Sequence, residues 1–193
     1  HTFALNSLQL AYSLGLIKLM GPSKNLLNNP KIELIQKKEI FNRYKNNLGF
    51  AAGLDKNGDY IDCLASLGIG FIEIGTVTPK PQLGNKKPRL FRDRKNLSLI
   101  NRMGFNNKGL NYLIKKLEKR RSSIPLGISI GKNFDTPNTK AYLDYLTCLD
   151  SVYSYADYIA VNISSPNTEN LRNFHDETKF DELINSIKVE RDK

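Results

Sequence analysis

The sequence predicts an α/β fold: the first half of a (β/α)8 TIM barrel, preceded by a small N-terminal helical segment. Three observations carry this. From Leu48 onward, short apolar runs alternate with longer amphipathic stretches, the texture of parallel strands joined by right-handed helical crossovers. Each run ends in a polar or glycine-rich turn, which suits the ligand-bearing ends of parallel strands. A complete barrel takes about 250 residues, and this chain holds only about half the strands, so it reads as truncated or as one piece of a longer protein. A doubly wound sheet fits the same alternation; the barrel fits the loop chemistry better.

Residues Phe3 to Met20, "FALNSLQLAYSLGLIKLM", come first. Phe3, Leu10, Leu14 and Ile17 form one apolar set and Leu5, Leu8, Tyr12, Leu16 and Leu19 another, with Lys18 the only full charge. Asn6, Ser7, Gln9 and Ser13 interrupt the run, which falls short of the roughly 20 apolar residues that span a bilayer. It reads equally as an interfacial helix half sunk in lipid and as a helix packed on the barrel. Gly21 to Asn47 adds a second short helix around Ile32 to Lys38 and a linker. The β/α units follow: "LGFAAGL" with "NGDYIDCLASLG", "GFIEIGTV" with "NKGLNYLIKKLEKRRSS", "PLGISIG" with "NTKAYLDYLTCLDSVYSYA", and "YIAVNIS" with "DETKFDELINSIKVERDK". Leu110, Ile114 and Leu117 make an apolar stripe at helical spacing, with lysines and arginines opposite. The last run, Tyr158 to Ile163, has the look of a strand buried on both faces, and Pro166 stops a helix from starting at once.

The 193 residues carry a formal charge of +10 and two cysteines. Cys63 and Cys148 lie far apart in apolar helical patterns and read as buried reduced thiols. The basic residues are spread along the chain, with crowding at Lys86 to Lys95 and Lys115 to Arg121. Neither crowd interleaves aromatics or forms a helix-turn-helix or zinc-finger pattern, so a solvated basic face outweighs specific nucleic-acid binding. The chain begins at His1, so its natural N-terminus reads as missing and no targeting signal can be read.

No common catalytic signature is present, and the two histidines do not form a metal pair. What the strand ends offer is polar: Lys56 after the first, Thr76 at the end of the second, Asn162, Ser165 and Asn167 after the fourth, and the turn-rich "NRMGFNN", Asn101 to Asn107, before a helix. Amides pair donors with acceptors and suit the edge of a planar heterocycle or imide, and a lysine beside them suits an anion.

Together "AAGLDKNGDYID", "IEIGTVTPKPQLGNKKPRLFR", "INRMGFNN" and "VNISSPNTENLR" resemble the dihydroorotate dehydrogenases, flavin enzymes of pyrimidine synthesis. Four motifs in order are far more specific than any one. The resemblance runs from about Leu48 to Leu171 and more weakly back to His1. It implies the quinone-dependent class: oxidation of dihydroorotate to orotate, hydride passing to FMN and electrons then to ubiquinone or menaquinone, in two half-reactions. It also implies a division into a membrane-association and quinone-tunnel segment, 1–45, and the first four β/α units of an FMN-binding barrel, 46–193.

By the same resemblance Ser165 matches the catalytic base, which the soluble classes replace with cysteine, and Thr168 and Phe105 flank its proton route. Ala52, Gly53, Leu54, Asp55, Lys56, Thr76, Ser129 and Asn162 match flavin-contacting positions. Lys56, Asn101, Arg102, Met103, Gly104, Phe105, Asn162 and Asn167 match the substrate site. His1, Phe3 and Arg92 match quinone-tunnel positions. Ser129 departs from the pattern, since the family motif Gly-x-Asn-x-Gly-Lys-Asn has asparagine there. The later strands of the family supply the FMN phosphate site, a second lysine and another substrate asparagine, none of them in this sequence, so this chain alone is not expected to bind flavin tightly. The implied location is peripheral on the cytoplasmic side of a bacterial inner membrane, or on the mitochondrial inner membrane. Two rivals stand beside this reading: a non-catalytic basic β/α scaffold binding nucleic acid or lipid, and a soluble relative linked to fumarate or a nicotinamide. Serine at position 165 and the apolar N-terminal helix argue against the second.

Overall fold

A computed structural model describes residues 2–17, 48–168 and 171–193. The short helix expected around Ile32 to Lys38, and His1, lie outside the described residues.

Helix α1, Thr2–Ser13, ends earlier than the apolar run suggested. Gly15 takes a φ of +73°, the Leu16 N–H returns to the Ala11 carbonyl at 2.9 Å and the Gly15 N–H to that of Tyr12 at 2.9 Å. This is a Schellman stop, which only glycine enters without strain. Within the helix the two apolar sets part company, though past it Ile17 is buried and Leu16 exposed, the reverse of their sets. Leu5 is buried, with Leu8 and Tyr12 packed against the core, whereas Phe3, Leu10 and Leu14 are 84%, 60% and 64% exposed. One face docks on the β/α body and the other has no cover among the described residues.

Four parallel strands form the sheet: β1 (Gly49–Phe50), β2 (Phe71–Val77), β5 (Leu126–Ile130) and β6 (Tyr158–Val161), in the order β1-β2-β5-β6. A doubly wound sheet reverses direction at a switch point; here each unit adds on the same side as the last, which is how a barrel grows. Helices α2 (Ile61–Ala65), α3 (Leu110–Leu117), α4 (Ala141–Val152) and α5 (Glu177–Arg191) alternate with the strands. Ile72, Ile74, Leu126, Ile128 and Ile130 pack with Leu64, Leu113, Tyr145 and Val152 in one continuous core. On α3 the buried stripe is Leu110, Leu113 and Leu117, with Ile114 at its margin. Cys63 and Cys148 are both buried and free, and desolvation pushes the Cys63 thiol up to about 11.

Two features differ from the sequence reading. β5 is fully buried, but β6, expected to be buried on both faces, is half-buried along its length, because its outer edge has no neighbouring strand among the described residues. And an antiparallel hairpin, β3 (Leu90–Asp93) and β4 (Ser98–Asn101), stands between β2 and α3 where no strand was expected. Both of its faces are largely exposed, so its sequence lacks the alternation by which a half-buried strand is recognised.

Candidate functional site at the strand ends

The loop after β1 is folded by Asp55. Its buried carboxylate accepts the N–H groups of Asn57 (3.3 Å), Asp59 (2.9 Å) and Tyr60 (2.7 Å), and so sets the entry to α2. The Asp55 side chain thus shapes the loop, although the sequence placed it with the cofactor contacts. Upstream, Ala52 and Leu54 are half-buried, while Gly53 is exposed at a φ of +103° with its N–H on the Gly75 carbonyl at 2.9 Å. A β-carbon there would meet nothing within 4 Å, so the backbone faces open space that a planar group could enter closely.

Lys56 leaves this loop toward the 102–107 segment and donates to Asn106 Oδ1 at 3.2 Å. Burial first, and then the like charge of Arg89, lower its affinity for a proton below that of an ordinary lysine. The loop is pinned from outside by Asp59, which accepts from Tyr112 (2.6 Å), Lys116 (2.9 Å) and Lys108 (3.2 Å). Burial opposes the charged form of Asp59, but these hydrogen bonds outweigh it and hold the carboxyl below its ordinary 3.8. The unfolded chain therefore takes up this proton first. The stability Asp59 contributes is complete above pH 3.8 and is lost as pH falls through the lower folded value. Asp59→Asn is expected to cost no more than about 1 kcal/mol at neutral pH and to flatten the acid limb of stability against pH. Parallel acid limbs for the two proteins in urea titrations would show that the cluster is idle.

Three successive strands meet in one hydrogen-bonded chain. Asn162 Nδ2, just past β6, donates to Thr76 Oγ1 of β2 at 2.9 Å, and Thr76 Oγ1 lies 2.8 Å from Ser129 Oγ of β5. Thr76 Oγ1 accepts from Asn162 and shares one further hydrogen bond with Ser129, in which either hydroxyl can donate. Both hydroxyls are buried. Ser129, where the family pattern has asparagine, is thus joined to Thr76. Tyr145 of α4 supports the same corner by donating to the Asn162 carbonyl at 3.0 Å.

Phe105 closes over these strand ends. It is 8% exposed at a φ of +49°, and a β-carbon on Gly131 would lie 2.8 Å from the Thr76 methyl and 3.3 Å from the Phe105 ring. Gly104 and the half-buried Met103 precede it, and their carbonyls accept from Gln82 Nε2 (3.1 Å) and the Asn85 N–H (3.1 Å). After β6, the half-buried Ser165 Oγ accepts the Asn167 N–H at 3.3 Å, its one hydrogen bond among the described residues. The Asn167 carbonyl sits 3.5 Å from Asn85 Nδ2, at the limit of a hydrogen bond, and Thr168 is buried. The geometry therefore brings together Lys56, Thr76, Phe105, Ser129 and Asn162, with the Ser165 loop beside them.

Other sequence-derived positions lie further out. Asn101 is the exposed last residue of β4 and shares a hairpin face with Arg92, Leu90 and Leu99. Arg102 donates Nε and a terminal nitrogen to the Pro88 carbonyl (3.1 and 2.9 Å) and stacks over Phe91, so its guanidinium is engaged within the hairpin. Phe3 stands on the outer face of α1. Asn106 and Asn107 lie inside the turn-rich stretch the sequence points to without giving them a role, and it gives none to Asn133 or Tyr145; the partners that fix these four include residues distant in sequence, which local pattern does not assign.

A parallel sheet with polar groups gathered at the carboxyl ends of its strands defines a β/α-barrel protein with its ligand end at that rim. The chain belongs to the dihydroorotate dehydrogenase family, whose model matches residues 35–193. A protein of Nitrosospira multiformis named dihydroorotate dehydrogenase (quinone) is 48% identical over 192 residues, covering 98% of this chain and 51% of that protein. One of the same name from Hamiltonella defensa is 58% identical over 145 residues, 75% of this chain and 43% of that protein. The ligand-free DHODH structure from Eimeria tenella superposes with a TM-score of 0.72 at 40% identity, over 78% of this chain and 43% of that one. The chain spans about half the length of the curated relatives it matches.

Proposed function

We propose that this chain is the N-terminal part of a quinone-dependent dihydroorotate dehydrogenase that oxidises dihydroorotate to orotate. The observation that carries this is the convergence of Lys56, Thr76, Asn162 and the Ser165 loop from three β/α units on one rim. The residues fit a flavin: open space beside the Gly53 backbone admits a planar ring, and the Asn162–Thr76 pair and the Lys56 cation supply donors for its polar edge. When bound, FMN supplies the hydride acceptor that no side chain can provide. The chain's own residues do the rest. Asn162 and Asn167 hold the substrate's amide edge beside the 102–105 backbone, Lys56 meets its negative charge, and Phe105 excludes water; Asn101, exposed at the end of β4, has to turn in from the hairpin to join them. Ser165 Oγ takes the proton from C5 of dihydroorotate and needs a path to pass it on, for which the adjacent Thr168 is the candidate. Ser129 acts through Thr76.

The division at residues 1–45 and 46–193 belongs to this reading. Helix α1 and the Arg92 face of the hairpin lie on the quinone side in this reading, where the exposed Phe3, Leu10 and Leu14 meet lipid. No helix among the described residues is long and apolar enough to cross a membrane. The attachment proposed is peripheral, on the cytoplasmic side of a bacterial inner membrane, with the basic surface facing anionic headgroups.

The test is the visible spectrum of the full-length protein, followed by anaerobic addition of dihydroorotate. A flavin spectrum that bleaches with substrate and recovers with a soluble quinone is the expected result. A protein that stays colourless after FMN is added would leave the basic scaffold as the better account.

A further inference from the structure

Among the described residues the Lys56 ammonium is held by an amide, and the charge that bears on it is a cation. Its Nζ donates to Asn106 Oδ1 at 3.2 Å across 50 positions of sequence, and Arg89 is the charged group that bears on it. Because a lysine has only donors, this contact fixes the Asn106 amide with its oxygen toward Lys56 and its NH2 turned away. Asn106 itself has little freedom. It sits between Phe105 and Asn107, whose side chain is locked to the end of β2, and a β-carbon on Gly84 would come within 3.0 Å of the Asn106 β-carbon. A flexible four-carbon side chain is thus anchored by a rigid neutral acceptor.

The neutrality matters more than the anchoring. A carboxylate at position 106 would hold the ammonium more strongly and also cancel its charge, leaving less field for any anion approaching the rim. An amide oxygen orients the cation through a partial charge only. We infer that Asn106 is a positioning residue for the reaction, holding Lys56 over the strand-end rim with its charge uncancelled and directed to the anionic substrate and flavin. The inference rests on the function proposed above, and it gives a role to a residue that the sequence places in a turn-rich stretch without assigning it one.

Asn106→Asp and Asn106→Ala in the full-length protein separate this role from a purely structural one. Aspartate keeps the shape and the acceptor, so a structural role makes alanine the more damaging change. Charge-preserving positioning makes aspartate the more damaging one. The expected result is that orotate, titrated by its perturbation of the flavin spectrum, binds roughly tenfold more weakly to Asn106→Asp, with a smaller loss for Asn106→Ala. The midpoint potential of the bound flavin should fall in Asn106→Asp and stay close to the parent value in Asn106→Ala. Equal affinities in all three proteins, or alanine worse than aspartate, overturns the inference and leaves the proposed function standing. A parent protein that carries no flavin overturns both.

Discussion

Replacing Ser165 with alanine is expected to slow reduction of the flavin by dihydroorotate by about 10²- to 10⁴-fold, the usual worth of a positioned base, while orotate binding stays nearly intact. The separation follows from where the hydroxyl sits. Ser165 Oγ lies on the loop after β6 and accepts only the Asn167 N–H among the described residues, so its removal deletes one 3.3 Å contact and leaves the Asn162–Thr76–Ser129 chain untouched. Binding should therefore survive. The rate should not, because among the described residues of the rim no other side chain is placed as a base: Lys56 Nζ donates to Asn106, and Asn162 is an amide. Ser165→Cys makes the complementary test, since a thiol of ordinary pKa near 8.5 ionises as pH rises and should give a rate that climbs with it. Stopped-flow reduction under anaerobic conditions reads the step directly. A parent-like rate in Ser165→Ala would remove the serine from the chemistry and point to a water held by the Asn167 loop.

The parts of the fold legible in the sequence were those whose burial is uniform. β5 reads "LGISI" and is buried at every position, so its apolar run and its structure agree. β1 has only two paired residues because the chain turns at Gly53, yet the motif around it announced the site better than the strand. The hairpin escaped notice for the opposite reason: Leu90, Leu99 and Ile100 are about as exposed as Arg92 and Arg94, so hydrophobicity and burial are uncoupled there. At the site, chemical type was legible and division of labour was not. Asp55 and Lys56 are neighbours in one motif, but Asp55 is consumed by its own loop's amides while Lys56 reaches the rim. Tyr145 looks like any apolar helix residue until its hydroxyl is found on the Asn162 carbonyl.

Asn107 shows how far such hidden contacts govern the rest, and Asn107→Ala is expected to cost about 3–5 kcal/mol of stability. The residue is 7% exposed and all of its hydrogen-bonding capacity is used. Nδ2 donates to Thr78 Oγ1 and to the Phe105 carbonyl, both at 2.8 Å, while Oδ1 accepts from Gly109 N at 2.8 Å and Thr78 N at 3.3 Å. Truncation strands two backbone N–H groups and one carbonyl in a site closed to water, each costing about 1–3 kcal/mol unless the loop opens. The Thr78 hydroxyl keeps Lys80 and Asn133 as partners, which limits the loss. Opening is the cheaper response, and it loosens Phe105 and Asn106 with it, because the loop then rests on the backbone pairing of Asn107 with Gln82 and on single hydrogen bonds to Gly104, Met103 and Asn106. The variant should therefore show two effects of different size: a lower urea midpoint, and a larger proportional loss of orotate affinity as the Phe105 lid and the Lys56 anchor loosen together. Proteolytic nicking between residues 102 and 109 would report the opening directly. An unchanged urea midpoint with weakened binding would mean that Asn107 serves the site alone; loss of stability with binding intact would mean that the 102–107 loop is held by the substrate itself.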